Sequence, residues 1–151
     1  MKYCVSACLL GENCKYNGGN NRNDTLLAYL QDKEYIGVCP EVMGGLSTPR
    51  ACSEIVAGRV MNTKGEDVSS YFYKGAQLAC AIAKQENIDV VITQPRSPSC
   101  GKGKIYSGKF DSSLTKGDGV FVSMMVKKGY IVMTCEEFIE KVIQKERKED
   151  E

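Results

Sequence analysis

The run Asp89-Val90-Val91-Ile92-Thr93 constrains the fold more than any other stretch of the chain. It is apolar without alternation, the pattern of a strand covered on both faces, and such strands belong to parallel sheets held between helix layers. The remaining segments supply the partners. Lys2–Ser6 and Tyr35–Cys39 read as strands, the second stopped by Pro40, and Tyr130–Met133 as a fourth. Between them the spacing predicts a helix capped by Asn23 or Asp24 and carrying Leu26, Leu27, Tyr29 and Leu30. A long helix is predicted from about Val68 to Gln85, with Phe72, Ala76, Ala79, Ile82 and Ala83 at helical intervals. Another covers Gly119–Lys128. A last one opens at the capping box Thr134-Cys135-Glu136-Glu137, with Phe138, Ile139, Val142 and Ile143 turned inward. Glu54–Met61 reads as a small hairpin with a polar exit, and residues 40–53 and 95–118 read as loops. The expected architecture is α/β: a three-layer Rossmann-like sandwich with a mostly parallel sheet of about four strands, helices on both faces and a small hairpin. Residues 1–144 form one domain in this reading, and the charged tail 145–151 is expected to fray.

Composition narrows the function. The chain has 151 residues, 20 Lys and Arg against 19 Asp and Glu, and no His. A net charge of +1 argues against a protein built to hold a nucleic-acid backbone, so no nucleic-acid partner is expected. The missing histidine removes His-based triads and dyads and any zinc site with a His ligand. Acid–base work then falls to Asp, Glu, Lys, Tyr, Cys or water. No apolar run approaches the ~18 residues of a membrane span. The start, Met1-Lys2-Tyr3-Cys4-Val5-Ser6, lacks the features of a signal peptide, so a cytoplasmic protein with reduced thiols is expected. Gly103–Lys109 satisfies GxxxxGK, yet Phe110 follows where a phosphate-binding loop needs Ser or Thr, and no NTPase site is assigned there.

Eight cysteines remain to be explained. In a reducing compartment clustered cysteines point to metal, cluster or catalysis rather than disulfides. Cys8 follows the first strand, Cys39 ends the second and Cys100 lies in the loop after the third. All three therefore belong to the carboxyl edge of one sheet, where ligands bind in such folds. Cys4 lies inside a strand, about 13 Å from Cys8 if the strand continued, and is not expected to share a ligand with it. Cys80 and Cys135 sit on helices and read as structural. Cys14 and Cys52, in loops near the three, are candidates for a fourth ligand or a resolving thiol. Three thiolates without His suit an iron–sulfur cluster with one iron left open; zinc, redox chemistry and unconnected thiols stay open from topology alone.

Four motifs add to this. Val5-Ser6-Ala7-Cys8-Leu9-Leu10-Gly11 with Cys14-Lys15-Tyr16-Asn17-Gly18-Gly19 is the first. Val38-Cys39-Pro40-Glu41-Val42 with Gly44-Gly45-Leu46-Ser47-Thr48-Pro49-Arg50 is the second. Ser97-Pro98-Ser99-Cys100-Gly101 is the third, and Ile105-Tyr106 with Gly117-Asp118-Gly119-Val120 the fourth. In order and spacing the chain resembles the domain-of-unknown-function family 523, which includes the thiouracil desulfurases. Where many relatives carry a Lys before the third motif, this chain has Gln94-Pro95-Arg96.

The resemblance implies a [4Fe–4S] cluster with three Cys ligands, at Cys8, Cys39 and Cys100, whose open iron takes a substrate's sulfur while water attacks the carbon. It places a catalytic Glu and Ser at Glu41 and Ser97. Ser6, Tyr16, Arg50, Ser99 and Lys102 are candidates for substrate contact. Lys15, Arg22, Arg50, Arg96, Lys102 and Lys104 all come from carboxyl-edge loops, where they make the cleft positive or merely solubilise the surface. The expected partner is a small sulfur-containing molecule, and the protein is expected to be a monomer or homodimer. A cluster- or zinc-binding redox sensor without chemistry, or an enzyme using a Cys thiol as nucleophile, are the alternatives.

Overall fold

The structure, a computed structural model, describes residues 1–150. Strand β1, Lys2–Ser6, runs into a 3₁₀ turn at Ala7–Leu10. Helix α1, Asp24–Leu30, starts where the Asn23 side chain accepts the Leu26 N–H at 3.0 Å, the N-cap bond the sequence calls for. Then come β2 (Glu34–Val38), α2 (Pro40–Met43), the antiparallel hairpin β3 (Ser53–Val56) and β4 (Arg59–Asn62), and the long helix α3 (Ser69–Gln85). Strand β5 is Val90–Thr93, and β6 (Lys104–Tyr106) pairs antiparallel with β7 (Leu114–Lys116). Helix α4 (Val120–Lys127) leads to β8 (Ile131–Thr134). A C-terminal helix follows as α5 (Cys135–Phe138), a wide π turn (Ile139–Ile143) and α6 (Gln144–Glu149).

The sheet has four strands in the order β2-β1-β5-β8, all parallel. Successive side chains on a strand face opposite ways. Val91 therefore packs with Cys4 and Val132 under α3 and α4, while Val90 and Ile92 pack with Tyr3, Val5, Leu26, Leu30 and Phe138 on the α1 and α5 side. Both faces are core, which is why β5 is buried at every residue and apolar at Val90, Val91 and Ile92. Thr134 closes the capping box with Glu137, so β8 passes directly into α5. No helix among the described residues is long and apolar enough to cross a membrane.

Three segments differ from the sequence reading. Residues 40–53, expected as loop, begin with α2, where Pro40 at the first turn has a helix-compatible φ and Cys39 is the N-cap. A single turn has too few residues to show a period. The loop 95–118 contains the β6–β7 ribbon, whose second strand is exposed at every residue and so lacks an apolar signal. Of the charged tail 145–151, expected to fray, residues 145–149 lie in helix α6. They are exposed, and Tyr29 reaches them with a 3.1 Å hydrogen bond to Glu146 Oε1.

Two features of the fold position the site. Strand β1 leads to α1 on one face and its neighbour β5 leads to α4 on the other, so their outgoing loops diverge and open a crevice at the carboxyl edge. Beside it, α2 lies on α3 backbone to backbone. A Cβ on Gly75 would collide with the Pro40 carbonyl, and one on Gly44 with the Tyr71 carbonyl. Glycine at both positions lets α2 approach closely enough to bring Cys39 and Glu41 over the crevice.

Candidate active site

The carboxyl-edge crevice is a cavity of about 280 Å³. Cys8 enters it from the turn after β1, Cys39 from the start of α2 and Cys100 from the loop after β5. Cys14 and Cys52 line the same cavity. The other three thiols do not: Cys4 of β1 and Cys80 of α3 are buried in the core between the sheet, α3 and α4, and Cys135 on the opposite face. All eight cysteines are unbridged. Among the described residues no group of three or more His, Cys, Asp or Glu side chains converges closely enough to hold a single metal ion.

The thiols differ in acidity. Burial pushes Cys100 well up, against a hydrogen bond from Ser6, and Ser99 Oγ lies 3.7 Å from the sulfur. Burial also raises Cys8, partly offset by the Asn21 amide nitrogen donating at 3.5 Å. Cys39 goes the other way, down to about 7, chiefly because the Cys14 thiol hydrogen-bonds to its thiolate. The Val42 N–H and the nearby Arg50 charge act in the same direction. Cys14, as the donor, is raised. As a thiol, Cys39 instead donates to the Cys14 carbonyl at 3.7 Å.

Glu41, in the single turn of α2, is held at both oxygens. Ser99 Oγ donates to Oε2 at 2.7 Å and Arg50 Nε to Oε1 at 3.1 Å. The Ser97–Cys100 turn that carries Ser99 sits on the amino end of α4: the Val120 N–H donates to the Pro98 carbonyl at 2.8 Å and the Phe121 N–H to that of Ser99 at 3.0 Å. Ser97 Oγ accepts the Cys100 N–H at 2.8 Å and lies 3.4 Å from Ser99 Oγ. With the Ser99 proton on Glu41, the Ser97 hydroxyl is the donor of that pair, giving a chain from Ser97 through Ser99 to Glu41.

The remaining candidates separate. Ser6 is buried and its Oγ accepts the Gln94 N–H at 3.1 Å, so it serves the floor beside Cys100. Tyr16 lines the cavity and is partly exposed. Arg50 lines it too, but its side chain is only 7% exposed and is bonded to protein groups. Lys102 is not a lining residue: its ammonium pairs with Glu137 at 3.2 Å, at the start of α5. Of the other cations proposed for a positive cleft, Lys15 and Arg96 line it, while Arg22 pairs with Asp24 at 2.7 Å outside it.

The structure adds residues that spacing does not single out. Asn21 and Gln94 meet Cys8 and Ser6 through their side chain and backbone, respectively. Tyr106, on β6, forms a further wall. Its ribbon is tied to β3 by the buried Glu54 carboxylate, which accepts the Gly108 N–H at 2.9 Å and the Phe110 N–H at 3.2 Å. A buried carboxylate is a sequence-level hint only once β3 is known to face inward.

Comparison with known proteins places this arrangement. The profile of the 2-thiouracil desulfurase family matches residues 4–137. The fold is similar to that of the [4Fe-4S]-dependent thiouracil desulfidase TudS (DUF523Vcz), with a TM-score of 0.86 and 34% identity over 92% of this chain and 93% of that one. The sequence is 36% identical over 140 residues to the uncharacterized protein YbbK of Bacillus subtilis strain 168, covering 86% of this chain and 93% of the relative. The family match runs through all three loops that bring Cys8, Cys39 and Cys100 to the crevice, and the chain belongs to the 2-thiouracil desulfurase family.

Proposed function

We propose that this protein is a [4Fe–4S]-dependent desulfurase that removes sulfur from a small thiocarbonyl compound, of the kind that converts 2-thiouracil to uracil. The observation that carries this reading is the company around one cavity: three thiols from three separate loops, with a hydrogen-bonded carboxylate beside them. Cys8, Cys39 and Cys100 are its ligands. The donor set fits such a cluster: the ligands are soft, none is His, and the thiols surround a cavity instead of meeting at one point as around a tetrahedral zinc. When bound, the cluster supplies a Lewis-acidic iron with a free position suited to a soft sulfur.

The protein's own groups then account for the proton traffic. Water attacks the thiocarbonyl carbon, the carbon–sulfur bond breaks, and the sum is thiocarbonyl plus water giving carbonyl plus hydrogen sulfide, with no net electrons. Glu41 takes the proton from the attacking water on its carboxylate and returns it to the departing sulfur. The Ser97–Ser99 hydroxyl chain keeps that carboxylate oriented. Tyr16 and Tyr106 offer aromatic walls to a planar ring. The reduced thiols fit a cytoplasmic setting.

Sulfide release from 2-thiouracil by anaerobically prepared protein tests the reading. Wild type is expected to release sulfide and form uracil. Glu41→Ala is expected to keep its iron and lose about 10²–10⁴ in kcat, the range of a positioned acid–base group. Sulfide release by protein freed of iron would instead favour a thiol nucleophile, and an unaltered rate in Glu41→Ala would remove that residue from the mechanism.

A further inference from the structure

Arg50 lines the cavity, yet it has little left to offer a substrate. Its Nε donates to Glu41 Oε1 at 3.1 Å and its Nη2 to the Cys14 carbonyl at 2.8 Å. Its Nη1 serves the Ser47 carbonyl at 3.2 Å and Thr48 Oγ1 at 3.0 Å. A guanidinium has five N–H donors in a fixed fork, so four are committed to the protein. Its own backbone N–H donates to the Tyr16 carbonyl at 2.8 Å, which fastens the 14–16 segment to residue 50 a second time.

We propose that Arg50 is a positioning residue of the desulfuration site: its fork locks the Glu41 carboxylate to the Cys14 segment and does not bind substrate. Glu41 needs such a clamp, because α2 is a single turn of four residues. A lone turn does not fix a side chain by itself. Ser99 restrains one carboxylate oxygen and Arg50 the other, so the carboxylate cannot rotate without breaking a bond to one of them. The second arm of the fork reaches the same Cys14 carbonyl that the Cys39 thiol meets at 3.7 Å. One side chain thus ties the proton-handling group to the segment packed against a ligand sulfur. Lysine would keep the charge and lose the fork.

The inference rests on the desulfurase reading for the identity of the reaction, and its test separates the two. The proteins are wild type, Arg50→Gln, Arg50→Lys, Glu41→Gln and the double variant, each loaded anaerobically, with 2-thiouracil as probe. Arg50→Gln is expected to lose about 10–100-fold in kcat, the cost of removing an orienting partner. Its KM should stay within about twofold of wild type, because an interaction made only in the transition state is what was lost. Iron content per chain should be unchanged, and Arg50→Lys should recover part of kcat. The double variant should turn over no slower than Glu41→Gln, since a residue acting through another adds nothing once that other is gone. Thermal unfolding without substrate should show the same coupling, with Arg50→Gln costing less in Tm when Glu41 is already Gln.

A KM increase at constant kcat would make Arg50 a substrate contact and overturn the proposal. So would multiplicative losses in the double variant, additive Tm changes, or loss of iron from both Arg50 variants. If wild type releases no sulfide from 2-thiouracil, the desulfurase reading fails, and the thermal cycle still decides whether Arg50 and Glu41 act as one unit.

Discussion

Cys39 differs from the other thiols of the cavity in being drawn down rather than raised. Cys39 is drawn down to about 7 by the Cys14 thiol, while burial drives Cys4 up to about 12 and Cys100 higher still. The thiolate is the nucleophile. In protein freed of metal, iodoacetamide at pH 7 is therefore expected to modify Cys39 first and to leave Cys4 and Cys100 unmodified until the chain unfolds. Peptide mass analysis after timed quenching checks this, and earlier modification of Cys100 would contradict it. The Glu41–Arg50 pair makes a second prediction at this scale. Both side chains are mostly buried, 16% and 7% exposed. Removing one partner of such a pair leaves an uncompensated charge, a loss of about 3–5 kcal/mol. Chemical denaturation should find Arg50→Gln destabilised by that order. Much of the cavity's lining was legible in the sequence: strand order brings the loops of Cys8, Cys39 and Cys100 to one edge, and Glu41 and Ser97, named from motif, line the same cavity. The Ser99–Glu41 hydrogen bond was not, because it joins the loop after β5 to α2 and leaves no mark on local spacing. Lys102, a candidate for substrate contact, pairs with Glu137, far along the chain, a contact that spacing does not show either.

Among the elements, α2 and α3 are joined by a contact that tests how the site is held. Alanine normally improves an exposed helix position over glycine by about 1 kcal/mol. At Gly75 the added methyl would meet the Pro40 carbonyl, so Gly75→Ala is expected to cost about 1–3 kcal/mol and to displace Cys39 and Glu41 together. Lower stability with lowered iron retention is the expected result; a more stable Gly75→Ala would show that α2 does not depend on this approach. The amino end of α3 offers a pH test. Val68, its N-cap, provides no side-chain cap, and Asp67 instead accepts the Ser69 N–H at 3.0 Å and pairs with Arg59 at 2.9 Å. Hydrogen bonds from Ser69, and then Arg59, hold Asp67 down at about 2. A depressed carboxylate contributes stability that is present above its unfolded pKa and lost as pH falls through the folded one. Asp67→Asn should therefore lower Tm at pH 6, and the gap from wild type should shrink toward pH 2; a gap independent of pH would contradict this. The long elements were readable because α3 repeats its apolar positions over 17 residues, whereas α2 and the ribbon β6–β7 have four residues and three per strand.

For the whole molecule, strand order does the decisive work. Spacings of 31 and 61 residues separate Cys8, Cys39 and Cys100 in the sequence, and the order β2-β1-β5-β8 puts their loops on one edge. The switch between β1 and β5 opens that edge, the two glycines of the α2–α3 contact seat the second loop, and the amino end of α4 seats the third. In the proposed site these three cysteines together hold one [4Fe–4S] cluster. The most direct test is the iron and acid-labile sulfide content of anaerobically reconstituted wild type beside Cys8→Ser, Cys39→Ser and Cys100→Ser. Wild type is expected to hold about four irons and four sulfides per chain, and each variant to lose both. Absence of iron from reconstituted wild type, or full content in Cys100→Ser, would contradict it.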